Sequence, residues 1–190
     1  MCLQRAGGEG QRLDGTMLVF GYGSLIWDPG FPVAGREIAR LPGWHRSFCM
    51  RSIHHRGTPE AMGLVLALDQ APGAVCAGVA FTVEPGAEDE TLRGLREREL
   101  ISSAYLEEWL PVTLHSGATA TALAYVIDPH HVQYCGGLSL EEQAGIIARA
   151  KGGRGSNRDY LYSTARHLSE LGIGDADLDW LVARVAELPG

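Results

Sequence analysis

The order of the apolar segments constrains the fold of this chain more than any other feature of its sequence. Short apolar runs typical of β-strands occupy residues 17–20, 41–50, 63–68, 74–83, 112–115 and 118–127. Stretches with the apolar spacing of helices lie at residues 84–100, 140–150, 158–171 and 177–188. Strands that come first, with helices inserted between them and gathered late, indicate an α+β fold rather than a regular βαβ repeat.

Length and composition indicate a single domain. The chain has 190 residues, of which 45% are hydrophobic and 21% are charged, and a chain of this kind folds around one core. Residues 1–16 are polar and rich in glycine, and they lack the apolar segment of a signal peptide. We therefore expect a flexible N-terminal tail over residues 1–16 and one domain over residues 17–190, with no membrane span.

The charge and the cysteines restrict the partners and the compartment. A formal net charge of −7 argues against binding to nucleic acid or to an anionic membrane, because both attract basic surfaces. The four cysteines are widely spaced and form no C-x-x-C pair. The sequence therefore predicts reduced thiols, a cytoplasmic protein and a small-molecule partner.

Two local signals predict turns and helix starts. Pro72 and Gly73 separate two apolar runs, which is typical of a β-hairpin. Ser139 precedes the segment 140–150, and Glu142 follows it three residues later, a spacing that predicts a capping box at the start of that helix.

The apolar run that starts at residue 17 is interrupted by the sequence Gly-Tyr-Gly-Ser at residues 21–24. A dinucleotide-binding fingerprint would need a third glycine at the position of Ile26. A nucleophile elbow would need a glycine two residues before and two residues after Ser24, where the chain has Tyr22 and Ile26. Neither motif is present. Two interpretations stay open: an ordinary turn at the end of a strand, or backbone N–H groups that line a cavity and bind an anion.

The helical segment 84–100 contains two candidate carboxylates, Glu97 and Glu99, among several arginines. Most such clusters form solvated surfaces. Glu99, however, lies near the apolar stripe formed by Leu92 and Leu95, whereas Glu97 lies well round the helix from it. We therefore predict that Glu99 faces inward, where apolar neighbours would raise its proton affinity and suit it to general acid or base catalysis.

No pattern in the sequence predicts a metal or a nucleotide. The pairs His54–His55 and His130–His131 are adjacent residues, which cannot easily direct both rings at one ion. The glycine-rich segment 152–157 lacks the order of a phosphate-binding loop and is better interpreted as the entry to a helix. We expect neither a metal nor a cofactor.

Four segments, taken together and in order, resemble the ChaC family of glutathione-specific γ-glutamylcyclotransferases. They are VFGYGSLIW, RSIHHRGTPEAMG, RELISSAYLEEW and RGSNRDYLYST. The resemblance extends over residues 17–188. It implies a compact mixed β-barrel with surrounding helices and a cytosolic enzyme that cleaves glutathione to 5-oxoproline and cysteinylglycine without a cofactor.

The resemblance also implies roles for particular residues. Glu99, which follows Arg98 and precedes Ala104 and Tyr105, matches the catalytic glutamate of the family. The implied substrate-binding residues are Tyr22, Gly23, Ser24, Leu25, Ile26, Trp27, Tyr105 and Tyr160. The chain departs from the family at His54, where many relatives have an acidic residue, and this leaves open whether Arg51 or Arg56 reaches the substrate.

The implied reaction leaves rival functions to be compared. The protein could be a cyclotransferase for other γ-glutamyl amines, or a module that binds γ-glutamyl ligands without turning them over. A glutamate at position 99 argues against the second alternative, because a binding module has no need of a proton acceptor there.

Overall fold

Five strands of the computed structural model, which describes residues 15–190, close into a barrel in the order β1-β3-β2-β4-β5. These strands are β1 (Leu18–Gly21), β2 (Val33–Ser52), β3 (Gly63–Val83), β4 (Tyr105–Leu114) and β5 (Thr119–Ile127). The barrel is mixed, since β1 pairs with β3 antiparallel and with β5 parallel. The predicted tail, residues 1–16, lies outside the described residues except for its last two.

Strands β2 and β3 form one long antiparallel ribbon, and the predicted hairpin at Pro72–Gly73 is wrong. Strand β3 continues through this dipeptide, and β2 continues through Pro42–Gly43 opposite it. Between the pairs Pro42↔Val75 and Trp44↔Gln70, the single residue Gly43 faces four residues of β3. Gly43 and Gly73 have φ values of +83° and +86°, a conformation that favours glycine. The Pro-Gly signals therefore mark a bend in a continuous ribbon.

The four predicted helices are present as α1 (Glu88–Glu99), α2 (Leu140–Arg149), α3 (Asn157–Glu170) and α4 (Ala176–Glu187). The predicted capping box is confirmed: the side chain of Ser139 accepts from the Glu142 N–H, and the Glu142 side chain accepts from the Ser139 N–H. The segment before α3 forms a short hairpin of β6 (Lys151–Gly152) and β7 (Gly155–Ser156).

Buried polar side chains attach the late helices to each other and to the barrel. The guanidinium of Arg158 donates to the carbonyls of Ala148, Val185 and Leu188 at 2.6–2.9 Å, which joins the C-terminal ends of α2 and α4. Fully buried Asn157 exchanges two 2.7 Å hydrogen bonds with the backbone of Leu64 in β3, as a neighbouring strand would. These bonds fix the start of α3 against the barrel.

The core fills the barrel and extends outward under the helices. Its largest fully buried side chains include Phe20, Phe48 and Phe81, which come from β1, β2 and β3. A second apolar cluster joins Leu95 of α1 to Val19 and Leu123, so the apolar stripe of α1 packs against the barrel as predicted. None of the helices described in residues 15–190 is both long and apolar enough to cross a membrane.

Candidate active site

A cavity of about 810 Å³ lies where the end of β1, the end of α1 and the start of β4 meet. It brings together seven of the nine predicted site residues, which are far apart in the sequence: Tyr22, Gly23, Ser24, Leu25, Glu99, Tyr105 and Tyr160. The wall also contains residues that the sequence did not single out for function, among them Ser52, Arg98, Tyr125, Gln133 and Arg154.

The interruption after β1 forms a short 3₁₀ helix, Ser24–Ile26, beside the cavity. The N–H groups of Ile26 and Trp27 donate to the carbonyls of Gly23 and Ser24 at 3.0 and 3.3 Å. A 3₁₀ turn makes no use of its own first N–H groups, so those of Ser24 and Leu25 are left for other acceptors. Ser24 and Leu25 line the cavity, so this segment brings backbone N–H groups that the turn does not use close to the cavity wall.

The two glycines of the interruption have different surroundings. A Cβ added at Gly21 would lie 2.8 Å from Cε2 of Phe81, so a side chain at this position conflicts with the core. A Cβ added at Gly23 would meet the Tyr160 hydroxyl at 3.6 Å, which is ordinary van der Waals contact. Gly21 is thus needed for packing, whereas Gly23 faces a side chain of the cavity.

The structure does not bring Ile26 and Trp27 to the cavity. Ile26, the last residue of the 3₁₀ helix, is 5% exposed and its side chain belongs to the core. The indole of Trp27 stacks on His167, with ring centroids 5.0 Å apart, and both residues border a separate surface groove. Their placement allows them to support the turn from behind, but it gives them no contact with a ligand in the cavity.

Glu99, the last residue of α1, lies in the cavity wall with its side chain 17% exposed. Glu97 also borders the cavity but is exposed, so the predicted difference in burial between the two carboxylates is confirmed. Burial raises the pKa of the Glu99 carboxyl, and the positive charges of Arg98 and Arg154 oppose part of that rise. A carboxylate in this setting accepts a proton more readily than an exposed one does.

Arg98 connects Glu99 to the segment after β1. Its Nε lies 3.2 Å from Oε1 of Glu99, while Nη2 donates to Oγ of Ser24 at 3.1 Å and Nη1 donates to the carbonyl of Asp28 at 2.8 Å. One guanidinium therefore fixes the carboxylate relative to the 3₁₀ helix. In the sequence, the only signal for this role of Arg98 is its position beside Glu99.

Three tyrosines complete the buried part of the cavity. The hydroxyl of Tyr22 donates to the carbonyl of Tyr125 at 2.9 Å, and that of Tyr105 donates to the carbonyl of Leu66 at 3.0 Å. Burial raises the pKa of Tyr160 to about 12 and raises the pKa of Tyr22 and of Tyr105 well above the usual value. All three hydroxyls therefore stay protonated near neutral pH.

Another part of the wall is basic and is built from the loop at residues 54–56 and the β6–β7 hairpin. The N–H groups of Gly153 and Arg154 donate to the carbonyls of His54 and His55 at 2.8 and 2.9 Å. The guanidinium of Arg56 lies 5.1 Å from the centre of the Tyr160 ring and donates to the Arg154 carbonyl at 2.6 Å. Arg56 lines the cavity, whereas Arg51 does not.

The described side chains form no cluster suited to a metal ion. Within residues 15–190, no three side chains among the histidines, cysteines, aspartates and glutamates are placed to hold one metal ion. Glu99 itself pairs with an arginine.

The chain is similar to known proteins over most of its length. The ChaC-like protein family matches residues 17–188. The chain is 35% identical over 175 residues to a glutathione-specific gamma-glutamylcyclotransferase of Escherichia coli (strain K12), covering 92% of this chain and 75% of the relative. It is 35% identical over 179 residues to gamma-glutamylcyclotransferase 2-3 of Arabidopsis thaliana, covering 91% and 90%.

The fold has a close counterpart among solved structures. A yeast gamma-glutamyl cyclotransferase specific to glutathione superposes with a TM-score of 0.82 at 24% identity, covering 92% of this chain and 97% of that chain. The predicted mixed barrel with surrounding helices is therefore confirmed.

Proposed function

Because the chain belongs to the ChaC-like family, we propose that it is a glutathione-specific γ-glutamylcyclotransferase that converts glutathione to 5-oxoproline and cysteinylglycine. The observation that carries this proposal is Glu99, a largely buried carboxylate with a raised pKa in the wall of a cavity that also offers backbone donors. The name of the Escherichia coli relative, a glutathione-specific gamma-glutamylcyclotransferase, supports the substrate.

The reaction is an intramolecular aminolysis. The α-amine nitrogen of the glutamyl group attacks its own γ-carbonyl carbon, and the new C–N bond closes a five-membered lactam. The C–N bond to the cysteinyl residue breaks, and the departing nitrogen takes up a proton. Since the nucleophile is tethered to the electrophile, the main task of the protein is to hold the folded-back conformer.

In this proposal Glu99 moves the proton. Near neutral pH the α-amine is largely an ammonium ion, which cannot attack a carbonyl. The Glu99 carboxylate accepts one of the amine's protons and then gives that proton to the departing nitrogen, so that it ends the cycle ionised. The attacking nitrogen loses a second proton as it becomes the lactam N–H, and the departing amine takes up a proton from solution to become an ammonium ion. A raised pKa suits both steps, because the group must release the proton as readily as it accepts it.

The segment after β1 holds the glutamyl head. The N–H groups of Ser24 and Leu25 are suited either to the γ-carbonyl oxygen as it gains negative charge or to the α-carboxylate. The protonated hydroxyl of Tyr160 supplies a further donor from α3, and Tyr22 and Tyr105 shape the wall. Ser24 serves as a hydrogen-bonding group, since its Oγ accepts from Arg98.

The described cysteines are compatible with a reducing compartment, and we propose the cytoplasm. Cys49, Cys76 and Cys135 are free thiols. Burial raises the pKa of the Cys49 thiol to about 12 and raises that of the other two thiols, so all three are poor nucleophiles towards a disulfide. A protein that handles glutathione gains from thiols that do not exchange with it.

Glu99→Gln tests the proposal, with Glu97→Gln as the matched control. We expect Glu99→Gln to lower the rate of 5-oxoproline formation from glutathione by about 10²–10⁴-fold, the usual contribution of a general acid–base group. Glutathione binding, measured by calorimetry, should change little. Glu97→Gln should keep most of the wild-type rate. Loss of activity in Glu97→Gln alone would overturn the assignment.

A further inference from the structure

Three arginines line the cavity, and the guanidinium groups of two of them make hydrogen bonds with other protein groups. Arg98 bonds to Glu99, Ser24 and Asp28. Arg56 donates to the carbonyls of Arg154 and Ser156 and covers the ring of Tyr160. Arg98 uses all three of its guanidinium nitrogens in these contacts, whereas Arg56 makes both of its hydrogen bonds through Nη1 and is held against the ring of Tyr160. Both guanidinium groups therefore organise the wall.

Arg154 is different, because its backbone makes hydrogen bonds to neighbouring segments, whereas its guanidinium makes none with the described residues. Its N–H donates to the His55 carbonyl at 2.9 Å, and its carbonyl accepts from Arg56 at 2.6 Å. Within residues 15–190 its guanidinium donates no hydrogen bond, although it lines the cavity. The hairpin therefore holds a free planar cation at the cavity wall.

The charge of Arg154 acts on Glu99 less strongly than the charge of Arg98 does. Both cations lower the pKa of Glu99, and the effect of Arg98 is the larger one. The neighbouring His55 has its pKa lowered by partial burial and by Arg154. The His55 ring is therefore largely uncharged at neutral pH.

We propose that Arg154 binds the glycine carboxylate of glutathione and so selects the tripeptide among γ-glutamyl compounds. The inference rests on the proposed function. The α-carboxylate of the substrate shares a carbon with the amine that Glu99 deprotonates, so it must stay near Glu99 and the segment 22–25. The glycine carboxylate lies beyond the cysteinyl residue and needs a separate cation. A guanidinium can bind it through two parallel hydrogen bonds.

A cation at the position of Arg154 allows the cavity to distinguish γ-glutamyl peptides of different length. A γ-glutamyl dipeptide ends one residue earlier than glutathione, which places its terminal carboxylate about 3.5 Å short when the chain is extended. A carboxylate at that distance from Arg154 does not form the two hydrogen bonds. Dipeptides should therefore bind less tightly even though their glutamyl heads are identical.

The test compares glutathione with its glycine ethyl ester in wild type, Arg154→Gln and Arg154→Lys, with Lys151→Gln as the control. Lys151 lies on the same hairpin, outside the cavity, and its loss changes the charge by the same amount. We expect Arg154→Gln to raise KM for glutathione by about 10–100-fold, as for a lost charge-assisted bond. Its kcat should stay within about twofold of wild type, and Arg154→Lys should recover part of the loss.

The ester decides between a carboxylate-binding role and a merely structural one. For the ester, wild type and Arg154→Gln should have similar KM values, because the partner of Arg154 is already blocked. An equal loss for acid and ester would overturn the proposal, and so would an equal effect of Lys151→Gln. If wild type formed no 5-oxoproline, the proposed function would fail by itself, and calorimetric binding of the same two ligands would still test Arg154.

Discussion

Two walls of the cavity differ in how their groups are held. The strand-end wall, residues 22–25 with Glu99, is mostly buried and is fixed by Arg98 and by the core behind it. The hairpin wall, residues 54–56 with Arg154, is largely exposed and is fixed mainly through its backbone. The contrast suits two tasks: proton transfer gains from a dry and rigid setting, whereas recognition of a charged tail needs an accessible cation.

The support of the strand-end wall reaches as far as α4, and breaking it should have the largest effect on stability. Arg46, only 4% exposed, donates to the Tyr22 carbonyl at 3.2 Å and pairs with Asp175 at 2.9 Å. Asp175→Ala leaves this buried guanidinium without its counter-charge, and we expect a loss of about 3–5 kcal/mol in the free energy of unfolding, measured in urea.

Asp177→Ala on the same helix is the control for that experiment. Asp177 lies 3.3 Å from His45, and both side chains are 45% exposed. An exposed pair contributes about 0.5 kcal/mol or less. Equal losses in the two variants would contradict the view that the strand-end wall is held by a buried ion pair.

Gly21→Ala tests the packing behind the strand-end wall, with an intermediate effect expected. The added Cβ conflicts with Phe81, which forces a shift that typically costs about 1–3 kcal/mol. Gly94→Ala is the comparison, because Gly94 lies exposed in α1 with open space around its Cα. There alanine should stabilise the protein by about 0.5–1 kcal/mol. Thermal unfolding of both variants measures the difference, and a harmless Gly21→Ala would refute the packing role.

Arg56→Gln should destabilise the protein less than Asp175→Ala or Gly21→Ala does, because the hairpin wall contributes little to the core. The variant loses the solvent-exposed hydrogen bond to Arg154, the bond to Ser156 and the contact with the Tyr160 ring. We expect a loss of about 1 kcal/mol in the free energy of unfolding. A loss as large as that in Asp175→Ala would mean that the two walls do not differ in the way described.

Local sequence patterns predicted much of the strand-end wall. The apolar stripe of Leu92 and Leu95 places Glu99 inward, because three- and four-residue spacings share a helix face. The capping box at Ser139 depends only on residues three apart, and it formed as predicted. Features that depend only on residues within one helix can therefore be predicted from the sequence.

Features that depend on a distant partner were not predictable in the same way. Pro72–Gly73 has the composition of a hairpin turn, yet the chain continues because β2 bends at Gly43 opposite it. The donors of Arg154 face the cavity only because the hairpin bonds to residues about 100 positions earlier. The burial of Arg46 depends on Asp175, 129 residues away. Contacts between residues so far apart in the chain cannot be predicted from a single sequence.

The pH dependence of kcat/KM tests the central claim most directly. Glu99 must be ionised to accept the substrate's proton, so activity should fall as the pH drops through its pKa. Since burial raises that pKa, the acid limb should lie above the ordinary glutamate range. Arg98→Gln removes the larger of the two cationic influences and should move the limb to higher pH, and Arg154→Gln should move it less. Lys151→Gln should leave it in place. A limb at the ordinary glutamate value, or one unmoved by Arg98→Gln, would contradict the assignment of Glu99 as the proton acceptor.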